Sequence, residues 1–222
     1  MKKMGFFTRI YCKICRWILI AGMYILFRPK KKYIDKNQIK EAKKKPAVII
    51  ANHTSLYDAI FVLATMSGHR AWILTAKDWY EKPFFGTIIA GNRCIPIDRA
   101  GLDTEWIREC TKVLKAGDSV IIFPEGHREK QGTLDEFKSG FTMLAKMNNV
   151  PVVSVCLSGR YKKFIGERKK LLVDSPMELS EGAMTADYLK AESERFRQRM
   201  FGLLEESDRV FNRGKRIPDE NK

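Results

Sequence analysis

Short apolar runs, none long enough for a buried helix, recur along the chain with helix-patterned segments between them. This alternation constrains the fold more than any other feature. AVIIA (47–51), AWILTA (71–76), CIPI (94–97), SVIIF (119–123) and VPVVSVCL (150–157) have the length and composition of buried strands. Between them, SLYDAIFVLATM (55–66), EKPFFGTIIAG (81–91), DTEWIRECTKVLKAG (103–117) and SGFTMLAKMNN (139–149) read as helical; the third has Asp103 as a candidate N-cap and ends on Gly117. KKLLVD (169–174) is expected to add an edge strand, and residues 185–212 a long amphipathic closing helix. Strand–helix alternation of this kind predicts the α/β class, with a largely parallel central sheet flanked by helices.

In such sheets ligands sit beyond the carboxyl ends of the strands, so the polar groups that follow each strand are the candidates. After AVIIA comes Asn52-His53-Thr54-Ser55-Leu56-Tyr57-Asp58; after AWILTA, Lys77; after CIPI, Asp98-Arg99; after SVIIF, Pro124-Glu125-Gly126-His127-Arg128. Histidine five residues before aspartate proves little alone, because aspartate fills 11 of 222 positions. The plain alternative is a turn histidine beside a helix-capping aspartate. What lifts the pair above it is the convergence of polar groups at several strand ends. A carboxylate that holds an imidazole in one tautomer makes a general base. The chain has no G-x-S-x-G elbow and no evident cysteine nucleophile, so the simplest chemistry is activation of a substrate hydroxyl. Lys77, Arg99 and Arg128 are cations suited to a phosphate, and Gly126 would permit close backbone approach.

The formal net charge of +15 raises nucleic acid as a partner, but its distribution argues otherwise. Residues 1–45 hold fourteen Lys/Arg against two acidic residues, and the remainder is nearly neutral. That arm contains WILIAGMYILF (17–27), eleven apolar or small residues spanning about 17 Å as a helix, well short of the ~30 Å of a bilayer core. Upstream, Phe6, Phe7, Ile10, Tyr11 and Ile14 recur at helical spacing, while Arg9, Lys13 and Arg16 share another face. An apolar face with aromatics beside a cationic face suits a helix lying in the bilayer interface, with the flanking lysines drawn to anionic lipid. A cleaved secretory signal is disfavoured, since RPKKK follows the apolar run where a small-residue cleavage site belongs. Phosphate contact in nucleic acid needs cations without such a run, so no nucleic-acid partner is expected. The expected organisation is a basic amphipathic membrane-anchoring segment (1–32), a charged linker (33–45) and an α/β domain (46–222). Deleting residues 1–28 is expected to release the protein from membranes and leave the α/β body folded. Five cysteines, an odd number with one isolated C-x-x-C, argue for a reducing compartment and against a zinc site.

NHTSLYD (52–58) resembles the N-H-x-x-x-x-D signature of the glycerolipid acyltransferases, the 1-acylglycerol-3-phosphate O-acyltransferase family. GNRCIPIDR (91–99) is similar to the second block of that family, FPEGHR (123–128) to its F-P-E-G-T-R block, FKSG (137–140) to its F-K-x-G, and VPVVSV (150–155) to its V-P-[IV]-x-P-V block. The blocks fall in the family's order over residues 46–160. The resemblance implies that His53 is the general base and Asp58 its partner, with Glu125, Gly126, Arg128 and Arg99, joined by Lys77, binding the acceptor's glycerol phosphate. The implied reaction carries a fatty acyl group from acyl-CoA or acyl-carrier protein to the free hydroxyl of lysophosphatidic acid, giving phosphatidic acid. Direct attack on the thioester would need neither metal nor cofactor. The expected location is the cytoplasmic face of the cell membrane, peripheral or monotopic. Two departures stand out: His127 replaces the usual threonine, and Ser154 the usual proline. They leave room for another lyso-lipid acceptor, such as lyso-ornithine lipid, or for a catalytically silent lipid-binding protein. His127 is expected to adjust headgroup recognition.

Overall fold

The computed structural model describes residues 6–66, 70–80, 93–98, 104–128, 134–159 and 168–212. In chain order these form α1 (Phe6–Phe27), β1 (Lys30–Tyr33), α2 (Lys36–Ala42), β2 (Val48–Ala51), α3 (Asp58–Thr65), β3 (Ala71–Ala76), β4 (Cys94–Ile97), α4 (Glu105–Lys115), β5 (Ser119–Ile122), α5 (Gly140–Asn148), β6 (Val152–Ser158), β7 (Lys170–Val173) and α6 (Ala186–Asn212). The segment 81–91, Arg99 and the candidate cap Asp103 lie outside the described residues.

The strands form one sheet in the order β1-β7-β6-β2-β5-β3-β4. Five of them, β6, β2, β5, β3 and β4, run parallel. β7 runs antiparallel to β6, and β1 pairs parallel with β7. The α/β class and the largely parallel sheet are thus as the alternation predicts. KKLLV is not an edge strand, however: β7 lies between β6 and β1, and the edge is formed by Lys30–Tyr33. A lysine-rich strand is well suited to that edge, because exposed charges discourage pairing with another chain. The segment 33–45, expected to be a linker, holds the end of β1 and all of α2. Asp35 caps α2 by accepting from the N–H groups of Asn37 and Gln38, and Ile39 is buried against the sheet.

β2 is the central strand, and its side chains divide the core. Val48 and Ile50 face a layer built from α4, α5 and α6, with Val120, Ile122, Phe141, Leu144 and Phe196. Ile49 and Ala51 face the opposite layer with Phe61 and Val62 of α3 and Met23 and Phe27 of α1. Alternate residues thus bury on opposite faces, which is why the strand reads as an unbroken apolar run. The C-terminal half of α1 belongs to this core: Phe27 packs on Tyr57 and Phe61, and Tyr24 on Phe61, at ring centroids of 5.2, 6.2 and 5.5 Å. Its N-terminal part carries exposed Phe7, Ile10, Tyr11, Ile14, Trp17 and Ile18. Deleting residues 1–28 therefore removes core side chains, and the body left behind would lose the cover over α3. Among the described residues, no helix is long and apolar enough to cross a membrane.

Candidate active site

The carboxyl end of β2 delivers Asn52 and His53 into a tight turn that ends in α3. Asn52 fastens the strand end: its side-chain amide donates to the Leu157 carbonyl at 3.0 Å, and its oxygen accepts the Leu157 N–H at 2.7 Å. It thereby extends the β2–β6 ladder beyond the last paired residue. Asp58 occupies the first turn of α3, where the helix dipole favours a carboxylate. From there it reaches back over its own turn, and its Oδ2 accepts the N–H groups of Thr54 and Ser55, each at 2.6 Å. The same oxygen lies 3.1 Å from Nδ1 of His53. Asp58 is wholly buried, while the His53 side chain keeps 15% exposure. With Nδ1–H directed at the carboxylate, the lone pair of the neutral imidazole resides on Nε2, the nitrogen a substrate proton would meet.

The segment after β5 completes the arrangement. Phe123 stacks on the His53 ring at 4.3 Å with an interplanar angle of 28°. Glu125 is 1% exposed. Its Oε1 accepts the backbone N–H of His53 at 2.9 Å, and its Oε2 the N–H of Asp135 at 3.4 Å. Gly126 has φ of 74°, a conformation that L side chains rarely adopt, and a Cβ there would lie 3.1 Å from the Lys138 side chain. The positive φ is what requires glycine, since the Lys138 side chain could yield by a few tenths of an ångström. Arg128 is exposed at the end of the same segment. His127 is exposed too, with Nε2 2.8 Å from Asp135.

The fold therefore brings His53, Asp58, Glu125 and Gly126 together and leaves Arg128 on the adjoining loop. Lys77 begins a 3₁₀ turn directly after β3. Because β5 separates β2 from β3, it stands two strands, about 10 Å, from His53. It lines a separate cavity of about 180 Å³ with Asp98, Glu105 and Trp106. Glu125, expected to bind the acceptor, lies beneath the turn with backbone donors on both oxygens. Sequence reasoning missed Asn52, Thr54, Phe123 and Lys169 as parts of the site. Asn52 and Phe123 stand inside recognised blocks and were open to discovery there. Lys169 stands in none.

The family model for Acyltransferase matches residues 12–158, the span that contains His53, Asp58, Glu125, Gly126 and Arg128 but not Lys169. The chain belongs to the Acyltransferase family. It is 35% identical over 120 residues to the 1-acyl-sn-glycerol-3-phosphate acyltransferase of Cocos nucifera, a match covering 52% of this chain and 38% of that protein. The protein of the same name from Bacillus subtilis is 24% identical over 168 residues, covering 73% of this chain and 83% of that one. The chain thus spans less than half the length of the plant relative and most of the bacterial one. The crystal structure of a 1-acyl-sn-glycerophosphate acyltransferase from Thermotoga maritima has the same fold. It matches with a TM-score of 0.62 and 21% identity, covering 86% of this chain and 82% of that one.

Proposed function

We propose that this acyltransferase moves a fatty acyl group from an acyl thioester to the free hydroxyl of 1-acylglycerol-3-phosphate, giving phosphatidic acid. The observation that carries the reading is the His53–Asp58 pair, locked by two backbone N–H groups at the carboxyl edge of a parallel sheet. Nε2 of His53 takes the hydroxyl proton as the oxygen attacks the thioester carbonyl. The tetrahedral adduct then expels the thiolate, which recovers that proton from the imidazolium. The products are one ester and one thiol, and neither metal nor covalent enzyme intermediate takes part. Asp58 steadies the imidazolium, and such a base contributes roughly 10²–10⁴-fold. Arg128 and Arg99 hold the acceptor's phosphate, Gly126 lets the backbone approach it, and Lys77 stands further along the same edge. Acyl-CoA or acyl-carrier protein serves as donor.

The reading extends to the membrane, where acceptor and product reside. The N-terminal part of α1 lies in the interface, its exposed apolar residues in the acyl boundary and the Lys/Arg-rich flanks against anionic headgroups, so that the protein is monotopic. What supports this is the row of exposed Phe7, Tyr11, Trp17 and Ile18 on a helix whose other end is fixed in the core.

The test is thiol release from a long-chain acyl thioester with and without 1-acylglycerol-3-phosphate, for wild type and His53→Ala, with the labelled lipid product identified. Acceptor-dependent turnover that the variant loses is the expected result. Turnover only with another lyso-lipid, lyso-ornithine lipid included, would move the acceptor assignment and point to the His127–Asp135 pair as its determinant. A folded, vesicle-bound protein that turns over no acceptor would be a lipid-binding protein instead.

A further inference from the structure

Lys169 has no place in the reaction described above, yet it is a lysine at 2% exposure beside the catalytic turn. Its position follows from the one reversal in the sheet. β7 runs antiparallel to β6, so the residue that precedes β7 lies at the carboxyl edge of the parallel strands, where His53 lies. Its backbone is held there by the N–H of Lys30, which donates to the Lys169 carbonyl at 2.8 Å as β1 begins. Its ammonium donates to the Thr54 hydroxyl at 2.6 Å and to the Gly159 carbonyl at 3.1 Å. The Thr54 hydroxyl, in turn, lies 3.4 Å from both oxygens of Asp58. The ammonium is therefore within about 6 Å of a wholly buried carboxylate, linked to it through the Thr54 hydroxyl.

Burying an ammonium costs several kcal/mol that an apolar side chain of similar volume would avoid. A residue serving only to fill space at this point would be better as methionine or leucine. Thr54 is also one of the two residues whose backbone N–H groups hold Asp58. Fixing its side chain thus fixes the donor that sets the Asp58 carboxylate, and through it the His53 ring.

We propose that Lys169 is a positioning residue: acting through the Thr54 hydroxyl, it holds the 53–58 turn so that Asp58 keeps Nδ1–H of His53 and leaves Nε2 aimed at the acceptor. Lys169 touches no reacting atom. The activity arm of the test rests on the acyltransferase reading, and a second arm does not.

The experiment uses the full chain in vesicles of phosphatidylglycerol and phosphatidylcholine, with kcat, KM and melting temperature measured for Lys169→Met, Thr54→Val, the double variant and Thr54→Ser. Each of the first two should lower kcat by about 10- to 100-fold with KM within twofold, the signature of lost orientation. The double variant should fall no lower than the lower single one, because both break the same link. Thr54→Ser should recover most of what Thr54→Val loses. In the second arm, proton NMR of the wild type should show a downfield Nδ1–H resonance that is absent in His53→Ala. That resonance should vanish or move upfield in Lys169→Met and Thr54→Val. Retention of kcat and of the resonance in either folded variant would overturn the proposal, as would losses that multiply in the double variant or a wild type lacking the resonance. Should Lys169→Met fail to fold, Thr54→Val, which keeps the side chain's shape, decides alone. A wild type inactive with every acceptor but showing the resonance and its loss would retire the reaction and keep the positioning role.

Discussion

The backbone N–H of His53 donates to Oε1 of Glu125 at 2.9 Å, although 72 residues separate them in the chain. Two blocks that look independent in sequence are thus one device, in which the carboxylate of the second carries the main chain of the first. Phe123, two residues before Glu125, stacks on the same histidine's ring. Backbone and side chain of His53 are accordingly set by neighbouring residues of a single segment.

Glu125→Ala therefore leaves two backbone donors, at His53 and Asp135, without their carboxylate in a buried site. The expected cost is about 2 kcal/mol, in the range for stranded buried donors, and kcat should fall at least as far as tenfold. Urea unfolding and turnover on the same preparation check it. A substitution that raises KM alone would show that Glu125 acts on the acceptor rather than on the turn.

Ser154, which stands where the family's fourth block usually has proline, is 1% exposed, and its hydroxyl has no hydrogen-bond partner among the described residues. A buried hydroxyl without a partner costs free energy. Ser154→Ala should stabilise the protein by about 1 kcal/mol, raising the melting temperature by roughly 2–4 °C for a domain of this size. Calorimetry reads this directly, and a lower melting temperature would mean that the hydroxyl is bonded in solution.

Burial pushes the Cys110 thiol up to about 12, with the Glu109 carboxylate adding to the shift. Burial likewise raises Cys156 to about 12, against an opposing pull from Lys169. An unfolded thiol ionises near 9, so above that pH the unfolded chain binds fewer protons than the folded one. Stability from these groups is complete below about pH 9 and declines as pH rises through the folded values, by up to about 1.4 kcal/mol per pH unit for each thiol. Cys110→Ala with Cys156→Ala should flatten the fall in urea midpoint between pH 8.5 and 10.5. Iodoacetamide at pH 8 should leave both thiols unmodified until the chain unfolds.

Trp17 and Ile18 are more than half exposed on α1, whereas Met23 and Phe27 of the same helix are buried. Trp17→Glu with Ile18→Glu should cut the fraction bound to anionic vesicles by at least about tenfold without lowering the melting temperature, since each bilayer-buried apolar side chain contributes roughly 1.5–3 kcal/mol. Co-sedimentation with and without salt is the measurement. Unchanged binding would place the membrane contact elsewhere on the chain.

The sequence by itself determined the α/β class, because apolar runs of strand length and helical periodicity are local patterns that each segment carries alone. It also placed His53, Asp58, Glu125 and Gly126 at strand ends, since the residue following a strand is read directly from the chain. It marked the N-terminal arm as apolar and basic in the same way. Strand order and direction were beyond it. Nothing within KKLLV says that it pairs antiparallel with β6 or that KKKY covers its far side. Those choices depend on backbone hydrogen bonds between segments far apart in the chain. Only the tertiary structure therefore brought Lys169, which precedes its strand rather than following it, to the same edge as the histidine. Only the tertiary structure turned Glu125 beneath the 53–58 turn and joined Asn52 to Leu157. Side-chain type and periodicity carry the first kind of information, and long-range pairing of buried polar groups decides the second.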